Sequence, residues 1–128
     1  MKLYESKFYS FELEKDRIIN RWNENTDQLT YQDFKDALMN LAGFIIEHKT
    51  PQILIDTTNF KFQLPAENDL WRNDVFYPRI TKVGEIRQAL VMPEEYLKFV
   101  KDEIGDGVIV PTRYFDNESE AIDWLTNS

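Results

Sequence analysis

The sequence predicts an α/β fold: a mostly parallel sheet introduced by an antiparallel hairpin. Three observations predict it. Ile53-Leu54-Ile55 is an unbroken apolar run with two β-branched residues, set between Thr50-Pro51 and the polar stretch Asp56-Thr57-Thr58-Asn59. Such a run suits a strand buried on both faces. From there on, strand-like and helix-like stretches alternate, which implies right-handed crossovers between parallel strands. Before it, Tyr9, Phe11 and Leu13 alternate with Ser10, Glu12 and Glu14, the period-two pattern of a half-exposed strand. The expected order is β-β-α-β-α-β-α-β-α, in one domain spanning residues 1–128.

Composition bounds the function classes. A chain of 128 residues with 42% hydrophobic content is long enough to bury a core without cross-links. It has no cysteine, which excludes disulfides, thiolate chemistry and Cys-based zinc sites. The apolar stretch from Leu41 to Ile46 is interrupted by Gly43 and far too short to cross a bilayer. The start, Met1 to Lys7, mixes charge with apolar residues and has no signal-peptide core. A soluble cytoplasmic protein is expected. The formal net charge is −8, which argues against nucleic acid, because phosphate binding needs a surplus of Lys and Arg on one face.

Taken in order, Lys15-Asp16 is a turn that pairs the first strand with Arg17–Trp22, and Asn23–Asp27 is a polar loop. Thr30 and Asp33 have the spacing of a capping box. Phe34, Leu38, Leu41 and Ile45 then recur at helical spacing. Gly43 in this helix is expected to mark close packing against the sheet, His48-Lys49 complements the helix dipole, and Pro51 stops the helix. After the central strand, Phe60–Leu64 is a loop and Pro65 is a first helical residue. The helix that follows carries Trp71 and Val75 on one stripe, ends or kinks at Tyr77-Pro78, and extends to a cap at Gly84. Glu85–Met92 is a second parallel strand. Pro93 opens a third helix with Leu97, Val100 and Ile104 inward, broken at Gly105-Asp106-Gly107. Thr112–Phe115 is the last strand, and Asn117 with Glu120 caps a final helix that turns Ala121, Ile122 and Leu125 inward.

The stretches Ile53–Phe60 and Arg113–Leu125, set in this order of elements, resemble the STAS group, the sulphate-transporter and anti-sigma-factor-antagonist domains of the SpoIIAA-like fold. The similarity of order spans nearly the whole chain and is nearest to a bacterial branch of that fold. The resemblance implies a non-enzymatic module that docks other proteins or, in some relatives, small ligands. In signalling members a Ser at a helix amino end after the central strand is phosphorylated. Here the corresponding region reads Phe62-Gln63-Leu64-Pro65-Ala66-Glu67. Both the Ser and its Gly are absent, so that switch is not carried over; Thr57 and Thr58 lie earlier, at the strand's end.

Candidate site residues gather at that end, where open α/β sheets present binding groups. Asp56, Thr57, Thr58 and Asn59 form either a polar ligand cup or a self-bonded turn. Phe60, Phe62, Trp71, Phe76 and Tyr77 are too many large aromatics for one stripe, so at least two are expected to remain partly exposed as a contact patch. His48 is the only histidine, which leaves no triad and no two-histidine metal site. Glu94-Glu95 and Asp102-Glu103 read as solvated faces; Arg72 and Arg79 are scattered bases without a phosphate loop. No catalytic residue, metal or cofactor is expected. The leading expectation is a regulatory protein-interaction module that docks a protein partner through residues 56–62 and Trp71. The alternative is a carrier or sensor holding a small apolar ligand or lipid between the sheet and the following helix. A homodimer is compatible with either.

Overall fold

The computed structural model describes residues 1–127. Six strands lie in the sheet in their sequence order: β1 (Lys2–Glu5), β2 (Tyr9–Glu14), β3 (Arg17–Trp22), β4 (Gln52–Asp56), β5 (Arg87–Val91) and β6 (Thr112–Phe115). β1, β2 and β3 pair antiparallel; β3 to β6 run parallel. The expected hairpin is present, turned at Lys15 with φ 58°. β1 was not foreseen. It pairs with β2 through a bulge between Lys2 and Tyr4.

β4 sits mid-sheet, paired with β3 and β5 in register from Ile19↔Leu54 to Leu54↔Ala89. Alternation splits its core residues between the two faces. Ile53 and Ile55 pack with Ile18, Trp22 and Phe11 on one side, and Leu54 packs with Ile19, Ala89 and Phe115 on the other.

On the first face lies α1 (Tyr31–His48), opened by the Thr30–Asp33 capping box and closed by Lys49 in the left-handed region at φ 52°. Phe34, Leu38, Leu41 and Ile45 are buried as expected. Gly43 is exposed with nothing near its missing Cβ, so the close approach expected there does not occur.

Beside α1 runs a continuous helical rod made of α2 (Asn68–Trp71), a π segment (Arg72–Phe76) and α3 (Tyr77–Ile80), with a 3₁₀ turn to Gly84 at φ 117°. Pro65 precedes the rod and accepts the Asn68 N–H through its carbonyl, so it is not the first helical residue. The rod does not stop at Pro78. Proline cannot donate to the carbonyl four residues back and its ring presses on it; the wider turn immediately before it, where the Tyr77 N–H reaches the Arg72 carbonyl, carries the helix through. This shifts the stripe. Phe76, five residues after Trp71, stacks on it at 6.4 Å and 10°, while Val75 is 40% exposed.

The third helix expected at 93–104 is replaced by a 3₁₀ stretch, Glu94–Phe99, and an extended passage. Ile104 is exposed, and Leu97 and Val100 are only half-buried. The passage serves the edge of β6 instead: Glu103 and Thr112 exchange two backbone hydrogen bonds at 2.8 Å, and the Tyr114 N–H donates to Asp102 Oδ1 at 3.0 Å. An edge strand left bare is a template for stray pairing, and this segment covers it. α4 (Glu118–Thr126), capped by Asn117 on the Glu120 N–H, closes the second face with Ala121 and Leu125. Asn23–Asp27, expected as a polar loop, lies in a 3₁₀ turn (Glu24–Gln28) with Thr26 fully buried.

Candidate functional site

At the carboxyl end of the parallel strands the rod stands away from the sheet, leaving a cleft of about 500 Å³. Its floor is Ile55, Gln88, Leu90 and Tyr114, all on one face of neighbouring strands because successive side chains alternate. One wall is Trp22 with Phe34 and Leu38 of α1; the rod supplies Asn68, Asp69, Arg72 and Phe76; the loop after β4 supplies Phe60, Phe62, Leu64 and Pro65.

The residues expected to act together separate here. Asp56 follows Ile55, so its side chain points to the opposite face of the sheet, where it lies 3.2 Å from Arg21. Arg21 also holds Glu12 at 3.0 Å and Glu118 at 2.9 Å, and these hydrogen bonds, Glu118's first, keep its guanidinium more firmly protonated than usual. The other Asp56 oxygen accepts the Thr58 N–H at 3.0 Å, the self-bonded turn rather than a cup. Thr57 is on the cleft rim, but its N–H and its hydroxyl both donate to the Val91 carbonyl at 2.8 Å. Thr58 and Asn59 are exposed. Phe60 and Phe62 do line the cleft, Phe60 edge-on to Trp22 at 5.1 Å. Trp71 is half-buried, stacks on Phe76 and does not line the cleft. Of the five aromatics, Phe60, Phe62 and Trp71 stay partly exposed while Phe76 and Tyr77 are buried.

Polar groups converge where the rod meets β5 and β6. Arg72 Nη1 donates to Tyr77 Oη at 3.3 Å, Nη2 pairs with Asp69, and Nε–H is buried without a partner. Burial opposes the Arg72 charge, but Tyr77 and Asp69 outweigh it and hold the guanidinium above its ordinary pKa. Gln88 Nε2 donates to Tyr77 Oη and to Thr112 Oγ1, each at 3.3 Å. Burial pushes the Tyr114 phenol up to about 12, with the Glu103 charge adding to it. On the other side of the loop after β4 lies a more open groove of about 770 Å³, bordered by Phe60, Phe62, Tyr96 and Phe99.

Sequence reasoning missed Arg72, Tyr114, Gln88 and Thr26. Tyr114 was within reach: period two in β6 puts Thr112 and Tyr114 on one face. Thr26 carried no signal; its hydroxyl accepts the Lys61 N–H at 2.8 Å and donates to the Asn23 carbonyl at 2.8 Å, which pins the loop holding Phe60 and Phe62. Among the described residues no three metal-ligating side chains gather, and no helix is long and apolar enough to cross a membrane.

Neither the curated proteins nor the solved structures include a significant match to this chain. The family model described as SpoIIAA-like matches residues 22–126, from the end of β3 through α4; with the hairpin, parallel strands and helices already described, the chain belongs to the SpoIIAA-like family.

Proposed function

We propose that this protein is a non-enzymatic regulatory module that binds a small, largely apolar molecule in the cleft between the sheet and the Asn68–Ile80 rod. The cleft carries the reading. At about 500 Å³ it falls in the range of pockets that bury small ligands, and it has their chemistry: apolar and aromatic walls with a few converging polar groups. The family membership suggests a regulatory protein-interaction module, and a bound ligand supplies such a module with something to respond to. A thermal-shift screen of apolar molecules tests this. A stabilising compound should raise the melting temperature of the native chain and leave Leu90→Trp, whose indole fills the cleft floor, unmoved. Equal shifts in both proteins would sink the cleft as the binding site.

A second reading, protein docking, is favoured by a different observation. Tyr96 is 54% exposed, Phe99 74% and Ile104 55%, apolar side chains on the 3₁₀ stretch and the extended passage after it, and such patches mark contact surfaces. A partner bound there should be lost by Phe99→Asp with the melting temperature unchanged. Retention of the partner would remove this reading.

A further inference from the structure

We propose that the ligand of the cleft is an amphipathic monocarboxylate, its head held by Arg72 and Tyr114 and its hydrocarbon lying over Leu90 toward Trp22, Phe34 and Phe60. The proposal rests on the ligand-cleft reading above and adds the headgroup to it.

Arg72 is the one basic residue lining the cleft, in a protein with a net charge of −8. Its side chain is only 22% exposed. Tyr77 and Asp69 occupy the two terminal nitrogens, but the Nε–H is buried and bonds to nothing. Beyond those two bonds each terminal nitrogen keeps a second N–H, and an anionic oxygen in the cleft has these to accept from. The backbone singles out the same residue. The π turn begins at Arg72, whose carbonyl takes the Tyr77 N–H, and turns of this kind recur at functional sites.

Tyr114 supplies the second donor. It faces the cleft from β6, near enough to Glu103, Arg72 and Asp69 to feel all three charges. Its backbone N–H is tied to Asp102, which fixes the strand and leaves the phenol to point inward. A guanidinium and a phenol lining one cleft with an apolar floor match a carboxylate. Asp69, with its side chain 78% exposed, already holds the outer edge of Arg72. It therefore disfavours a doubly charged head such as a phosphate monoester.

Calorimetric titration with sodium decanoate and with decanamide, its neutral isostere, tests the proposal. Decanoate is expected to bind about tenfold more tightly than decanamide, the order of a charge-assisted hydrogen bond. Arg72→Met should bring the two affinities together, and Tyr114→Phe, which keeps the ring and its packing, should weaken decanoate several-fold. If Arg72→Met proves too unstable to titrate, the native acid-to-amide ratio and Tyr114→Phe decide the matter. Equal binding of acid and amide would overturn the carboxylate while leaving the cleft reading intact. Binding of neither, or binding of both undiminished by Leu90→Trp, would overturn the two together.

Discussion

The two faces of one sheet are built differently in this protein. On the face covered by α4, Ile19, Leu54, Ala89 and Phe115 meet Ala121 and Leu125 in a small tight cluster, and the open end is fastened by the Arg21–Glu118–Asp56–Glu12 network. On the other face α1 packs as tightly over Ile18 and Ile53, yet the rod beside it leaves the cleft at the strands' carboxyl end. The same strands feed both faces, so strand chemistry does not explain the difference. What differs is the cover. α4 is a regular helix with small Ala121 against the sheet. The rod has a π turn, large aromatic side chains and a loop between β4 and Asn68 that spaces it from the floor. Bulk placed beside the strand ends, not missing hydrophobicity, makes the opening.

Truncation should expose this contrast most strongly. Leu54→Ala, deep under α4 and fully buried, is expected to lose about 3 kcal/mol. Leu90→Ala, whose side chain borders open space, should lose about 1 kcal/mol or less, since little cavity is created. Urea denaturation of the two variants measures both, and equal losses would mean that the cleft closes in solution. Next in size is Trp71→Ala, expected at about 2 kcal/mol because the half-buried ring stacks on Phe76. A loss near zero would return Trp71 to the exposed contact patch its sequence position suggested.

Smaller is the network on the closed face. Arg21→Met should cost about 1 kcal/mol, given partial exposure of the groups around it. The difference from native should shrink in molar salt; a salt-independent loss would point to packing of the Arg21 stem instead.

A last effect, confined to alkaline pH and absent near neutrality, belongs to Tyr114. Its pKa in the folded chain is raised from 10.0 to about 12, so the folded state holds the proton more tightly than the unfolded one. That contribution to stability is whole below pH 10 and disappears as pH climbs through 12. Native protein should therefore lose more stability than Tyr114→Phe over this window. A difference spectrum at alkaline pH should place the Tyr114 phenolate late; its appearance near pH 10 would mean that the cleft wall is wet.

Much of the fold was legible in the sequence because its signals are local. Thr30 with Asp33, Asn117 with Glu120, the alternation of Tyr9 and Phe11, and the run Ile53–Ile55 each specify geometry within a few residues, and each forms as expected. The candidate site was legible only in part. Phe60 and Phe62 reach the cleft, but Asp56 turns to the far face and Trp71 packs on Phe76. Period two in β4 already implied the first, whereas the second depended on the π turn before Pro78.

The sequence by itself determined the β2–β3 hairpin, the limits of α1, the start of α4, the burial of Ile53–Ile55 in β4, and that cysteine chemistry is absent. Only the tertiary structure decided that residues 93–104 cover the edge of β6 instead of forming a helix, and that Arg72 and Tyr114 share a cavity with Trp22 and Phe34. The reason is physical. Caps and periodicities act over neighbouring residues, but a cleft is the space left when elements far apart in the chain fail to close on one another, and an edge strand's unpaired groups recruit whatever segment passes beside them.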